Sequence, residues 1–93
     1  MNVDTELMRT IANEINTYAT TYQSMISAFY SKIANLANSS AWWGLSSKRY
    51  AELALLDKTN MLAVGDRIKS FSKYIKNAAD DLDNTVNKSE SEN

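Results

Sequence analysis

The segment Ser40-Ala41-Trp42-Trp43-Gly44 decides how this chain folds. It holds both tryptophans and one of the two glycines of a 93-residue chain that has no proline. Gly44 adopts positive φ at little steric cost, so it suits a sharp reversal of the backbone. Trp42 and Trp43 are the largest apolar side chains available to pack the closed end of such a reversal. On both sides, apolar residues recur with the period of a helix. The segment therefore predicts a turn between two helices.

Upstream, residues 4–38 read as the first helix. Asp4 is its N-cap, and Glu6 lies in the first turn, where the helix dipole favours an acid. Met8, Ile11, Ile15, Tyr18, Tyr22, Ile26, Phe29, Ile33 and Leu36 follow one another in steps of three and four. That is a heptad seam with one stutter between Tyr18 and Ile26. Leu7, Met25 and Tyr30 widen it, which suits a multi-helix bundle better than a two-stranded coil. The opposite face carries Thr10, Asn13, Thr17, Thr20, Thr21, Ser24, Ser27 and Ser31 with few charges. Small uncharged residues of this kind are compatible with close approach by another helix, and equally with compositional bias.

Downstream, residues 39–46 form the turn, with Ser46 or Ser47 capping a second helix over 47–86. Its seam is Tyr50, Ala54, Met61, Val64, Ile68, Phe71, Ile75, Ala78 and Leu82, unbroken in its three–four alternation from Met61 onward. Asp57 falls on the projected seam, where it is either a polar specificity position of a coiled coil or, the favoured reading, turned outward by a local shift. Gly65, beside the seam, permits close helix contact or a slight bend at a cost of roughly 1 kcal/mol relative to Ala. So short a turn makes the helices antiparallel. A hairpin buries one stripe per helix, so the surplus apolar residues need another surface. Pairing of two hairpins into a four-helix bundle supplies it. Residues 87–93 are polar and aperiodic and read as a disordered tail.

Composition removes whole classes of function. The chain has no cysteine and no histidine, so it lacks disulfides, thiolate metal sites and the usual general base. A net charge of −1 predicts no global attraction to nucleic acid or anionic lipid. No catalytic, cofactor-binding or metal-binding residues are expected. Asp80, Asp81 and Asp83 read as a solvated acidic helix end rather than a calcium loop. Arg67, Lys69, Lys73 and Lys76 read as a salt-bridging face toward a partner helix. Residues 1–6 are acidic and without an apolar run, which predicts no Sec-type signal peptide and synthesis in the cytoplasm.

Two heptad helices flanking a mid-chain Trp-x-Gly, at Trp42, Trp43 and Gly44, resemble the WXG family, the small early-secreted-antigen-like proteins of type VII secretion systems. Tyr50, six residues past the glycine, also falls where that family often has an aromatic. The resemblance implies a hairpin that forms a homodimer or a heterodimer with a paralogous chain. It implies secretion without a Sec signal, as a folded dimer, through a membrane-embedded ATPase. It implies a role as substrate or as co-secreted partner or targeting chaperone of a larger toxin with a similar N-terminal hairpin. The dimer or partner interface is expected at Ile11, Ile15, Tyr18, Tyr22, Ile26, Phe29, Tyr50, Met61, Val64, Ile68 and Phe71. The family's C-terminal Tyr-x-x-x-Asp/Glu signal is degenerate here: Tyr74 is followed four residues later by Ala78. A structural hairpin subunit of another secretion apparatus is the alternative, although such hairpins typically turn through a proline-containing loop. The purified protein is expected to be helical and associated at micromolar concentration. Sedimentation equilibrium checks this, and a folded monomer contradicts it.

Overall fold

The computed structural model describes residues 2–42 and 44–88. The fold is all-α: helix α1 (Thr5–Ala37) turns back into helix α2 (Leu45–Leu82) as a helix–turn–helix hairpin. A single π-helical turn, Asp83–Asn87, continues α2. Among the described residues there is no strand. Asp4 caps α1 as its side chain suggests, with Oδ1 accepting from the Leu7 amide at 2.9 Å. α2 begins at Leu45 because Gly44, not a serine, precedes its first turn. Ser46 and Ser47 thus lie inside the helix rather than capping it. Ser47 is buried, and its hydroxyl donates back to the Gly44 carbonyl at 2.9 Å. Of the tail expected at 87–93, Asn87 belongs to the π-helical turn and Lys88 is helical, because Asn87 bonds the Val3 backbone; residues 89–93 and Trp43 lie outside the described residues.

The chain divides into two compact units. The first joins Met1–Ala19 with Arg67–Asn93. Its arms meet through Thr5, Ala12, Ala19, Ser72 and Ala79, all buried. These side chains are short, so the backbones approach closely enough for the Ser72 hydroxyl to donate to the Ala12 carbonyl at 2.6 Å. Ile15, Ile68 and Ile75 flank the contact half-buried.

At the ends of this unit a polar clasp takes over from packing. Arg9 Nη2 pairs with Asp80 Oδ1 and with Asp83 Oδ2, each at 2.7 Å. Asp83 Oδ1 also accepts from the Thr5 hydroxyl at 2.6 Å and from Asn87 Nδ2 at 3.0 Å. Asn87 reads the Val3 backbone twice: its Oδ1 accepts from the Val3 amide at 3.0 Å, and its Nδ2 donates to the Val3 carbonyl at 3.1 Å. The acids expected to form a solvated helix end are therefore divided. Asp80 and Asp83 bind Arg9, and Asp81 stays exposed. The hydrogen bonds from Thr5, Arg9 and Asn87 hold the Asp83 carboxyl down to about 2.

The second unit spans Thr20–Asp66. Ala37, Ser47 and Gly65 are buried there. Gly65 provides close contact: a Cβ on it would overlap the side chain of Gln23, 2.6 Å from Nε2. Gln23 Nε2 donates to the Leu62 carbonyl and to Asp66 Oδ1, both at 2.9 Å. On the other flank of the same contact, the Tyr22 hydroxyl lies 3.8 Å from Met61 Sδ. Asp57 is exposed, as its awkward place on the seam requires.

Gly65→Ala gains about 1 kcal/mol of helix propensity but displaces Gln23, whose two hydrogen bonds contribute about 1 kcal/mol each. It is expected to cost about 1 kcal/mol net, and in a Gln23→Ala background to stabilise by about the same. Urea unfolding of the double-mutant cycle checks the coupling. The clasp gives a second expectation. Because Asp83 is shifted down, its contribution to stability is fully present above the ordinary carboxylate pKa of about 4 and is lost as pH falls toward 2. Asp83→Asn is expected to lower the melting temperature at neutral pH and to flatten its fall over that acid range. An unchanged acid profile would remove Asp83 from the clasp.

Candidate functional site

The turn is built from backbone and serine. After Ala37 the Ser39 amide and hydroxyl both donate to the Leu36 carbonyl, at 3.1 and 2.7 Å. The Ala41 amide donates to Ser39 Oγ at 3.2 Å, and the Trp42 amide to the Ser39 carbonyl at 3.3 Å. Gly44 then takes φ of 109°, which reverses the chain where an L side chain would be strained. Its carbonyl accepts from the Lys48 amide at 3.3 Å and so starts α2. Trp42 is half-buried, and its ring lies 5.6 Å from that of Tyr50 at a 40° tilt. A pair at this separation contributes about 0.5–1.5 kcal/mol beyond its burial. Beside it, Leu45 is 88% exposed and lines a shallow groove with Arg49, Tyr50 and Leu53.

The large apolar residues of the seams are not the ones that close the hairpin. In the first unit Ile11, Tyr18 and Phe71 are exposed, Tyr18 by 71%, with Ile15 and Ile68 half-buried beside them. In the second unit Phe29, Tyr50, Met61 and Val64 are exposed, and Tyr22 and Ile26 are half-buried. Met61 and Tyr22 touch, so in this unit the two arms contribute to one apolar flank. Sequence periodicity found this outward face. It missed the inward one, because Ala12, Ala19, Ser72 and Ala79 carry no apolar bulk. Their recurrence at multiples of seven, 5–12–19 and 65–72–79, was the available signal.

The chain matches the family model described as "WXG100: Proteins of 100 residues with WXG" over residues 1–87. It belongs to the WXG100 family. Members are small helical proteins associated with secretion by type VII systems, and they typically form dimers with related WXG partners. No curated protein and no solved structure matches the chain. Trp42 and Gly44 are thus the fixed positions of the WXG100 motif, and the structure sets them at the reversal between the helices.

The end of α2 holds Tyr74 and Ala78, the expected place of a C-terminal signal. Tyr74 and Ala78 are both exposed, and Tyr74 packs edge-on against Phe71 at 6.1 Å. The acids that follow within the same unit are Asp80, Asp81 and Asp83, and two of them are occupied by Arg9. Among the described residues no cluster of acidic side chains is placed to hold a metal ion. No described helix is long and apolar enough to cross a membrane. Gly44→Ala is expected to cost about 1–2 kcal/mol in urea unfolding, from φ alone, since the space around a Cβ there is open.

Proposed function

We propose that this protein is a non-enzymatic WXG100 partner chain, exported by a type VII system as a folded dimer with a related hairpin. Its role is substrate or co-secreted companion and targeting chaperone of a larger effector, a toxin whose N-terminal hairpin resembles it. The observation that carries this reading is the conjunction of an intact Trp42-x-Gly44 reversal with a Tyr74 that has no acid one turn later. Half of a two-part export signal stands on this chain, and the other half belongs on the partner. The secretion ATPase is then the receptor of the assembled dimer.

The apolar flanks support a partner. Ile11, Tyr18, Phe29, Met61, Val64 and Phe71 are the residues such a partner covers first.

Trp42→Ala is the test. Circular dichroism is expected to show retained helix, because the ring is only half-buried, while export into the medium falls at least tenfold. An unfolded variant would reduce Trp42 to packing, and undiminished export of a folded variant would remove it from the signal.

A further inference from the structure

In the second unit the two helices leave a notch on the flank marked by the Gln23–Leu62 hydrogen bond. Steps of four, three and four lead from Gln23 to Ser27, Tyr30 and Ala34 on α1. The same steps lead back from Leu62 to Lys58, Leu55 and Ala51 on α2. The apolar flank lies on the other side of the helix pair, at Tyr22 and Met61. The notch encloses about 80 Å³ and is lined by Tyr30, Ala34, Ala51, Ala54, Leu55 and Lys58, with Ser31 beside them. All of these residues belong to one compact unit.

Its chemistry is that of an unfilled socket. Ala34, Ala51 and Ala54 offer the notch only a methyl each, and Tyr30 and Leu55 are its large side chains. Leu55 is 63% exposed although it stands away from the apolar flank. Lys58 is half-buried and makes no ion pair or hydrogen bond among the described residues. Its aliphatic stem lies along the notch, and an ammonium at the rim is a complement for an arriving carboxylate. Lys48, three residues before Ala51 on the same flank, adds a second cation. Small residues between two larger ones leave room for a side chain of a further helix to enter.

We propose that this notch is a docking socket for a third helix, supplied by a partner protein. That helix inserts one aliphatic side chain between Tyr30 and Leu55 and sets a carboxylate, one turn away, against Lys58. The positive charge of Lys58 and Lys48 selects an acidic helix over a basic or neutral one. Because the socket and the apolar flank are on opposite sides, both can be occupied at once. The socket does not depend on how, or whether, the protein is exported.

The test uses the full chain with its alanine methyls labelled for NMR. It is titrated with an alanine-based helical peptide carrying leucine and glutamate one turn apart, and with the same peptide bearing lysine for glutamate. The glutamate peptide is expected to shift the methyls of Ala34, Ala51 and Ala54 saturably. The lysine peptide is expected to bind about fivefold more weakly, the effect of one partly screened ion pair. Lys58→Glu is expected to reverse that preference, and Ala51→Leu, which fills the floor, to abolish binding. Lys58→Glu changes only a charge at a half-exposed position, so it keeps the test valid if Ala51→Leu fails to fold. Absence of saturable shifts, equal binding of the two peptides, or shifts away from the notch overturns the proposal. Shifts at the same methyls on raising the protein concentration alone would make a second copy the occupant and would also overturn it.

Discussion

Where the Ser72 hydroxyl reaches the carbonyl of Ala12, two helix backbones are separated by little more than one side-chain oxygen. That closeness is available only to alanine, serine, threonine and glycine. A leucine or isoleucine at position 12, 19, 72 or 79 would hold the axes further apart. The consequence is an inversion of the usual helical hairpin. Small residues close the pair, and the bulky apolar residues of both seams are displaced to the side, half-buried or exposed. Each buried alanine methyl contributes only about 0.8 kcal/mol. The hairpin contact therefore fixes geometry more than it supplies stability, and most of the apolar surface is left for something else to cover.

The same closeness explains why polar groups carry the register. Gln23 lies across Gly65 and bonds both Leu62 and Asp66, which a side chain at position 65 would prevent. At the chain ends, Arg9 and Asp83 do the corresponding work with charge and Asn87 does it with an amide. A sliding of one helix by a turn leaves hydrophobic contacts similar, because the seams repeat. It breaks every one of these directed bonds. Specific polar pairs thus select one alignment among several that packing alone would tolerate.

Much of this was legible in the sequence, and the exceptions have one cause. The two helices, the reversal at Gly44 and the Asp4 cap follow from local rules, and local rules suffice because proline is absent and the apolar period is long. The outward apolar residues Ile11, Tyr18, Phe29 and Phe71 were visible for the same reason. The inward face was not, since periodicity weighs residues by hydrophobicity and Ala12 or Ser72 weigh little. The clasp was hidden differently. Arg9 and Asp83 are 74 positions apart, and nothing near Asp83 in the chain indicates a cation. Ser47 was misread as a cap because a serine after a glycine at a helix start resembles one. Only the close packing of the second helix against the first shows why a buried position there needs a small residue.

The arrangement also bears on the sparse charge of α1. Thr17 donates its hydroxyl to the Asn13 carbonyl at 3.0 Å, so at least part of the hydroxyl-rich face satisfies itself within the helix. A side chain bonded to its own backbone presents methyl and methylene groups outward and needs little water removed when another surface approaches. A lysine or glutamate at the same place would have to be desolvated or paired. On α1 the cost of covering this face is therefore low, while α2 carries the charged residues Lys48 and Lys58 that discriminate among arriving helices. Permissive and selective surfaces are divided between the two helices, and it is the second that decides what may bind.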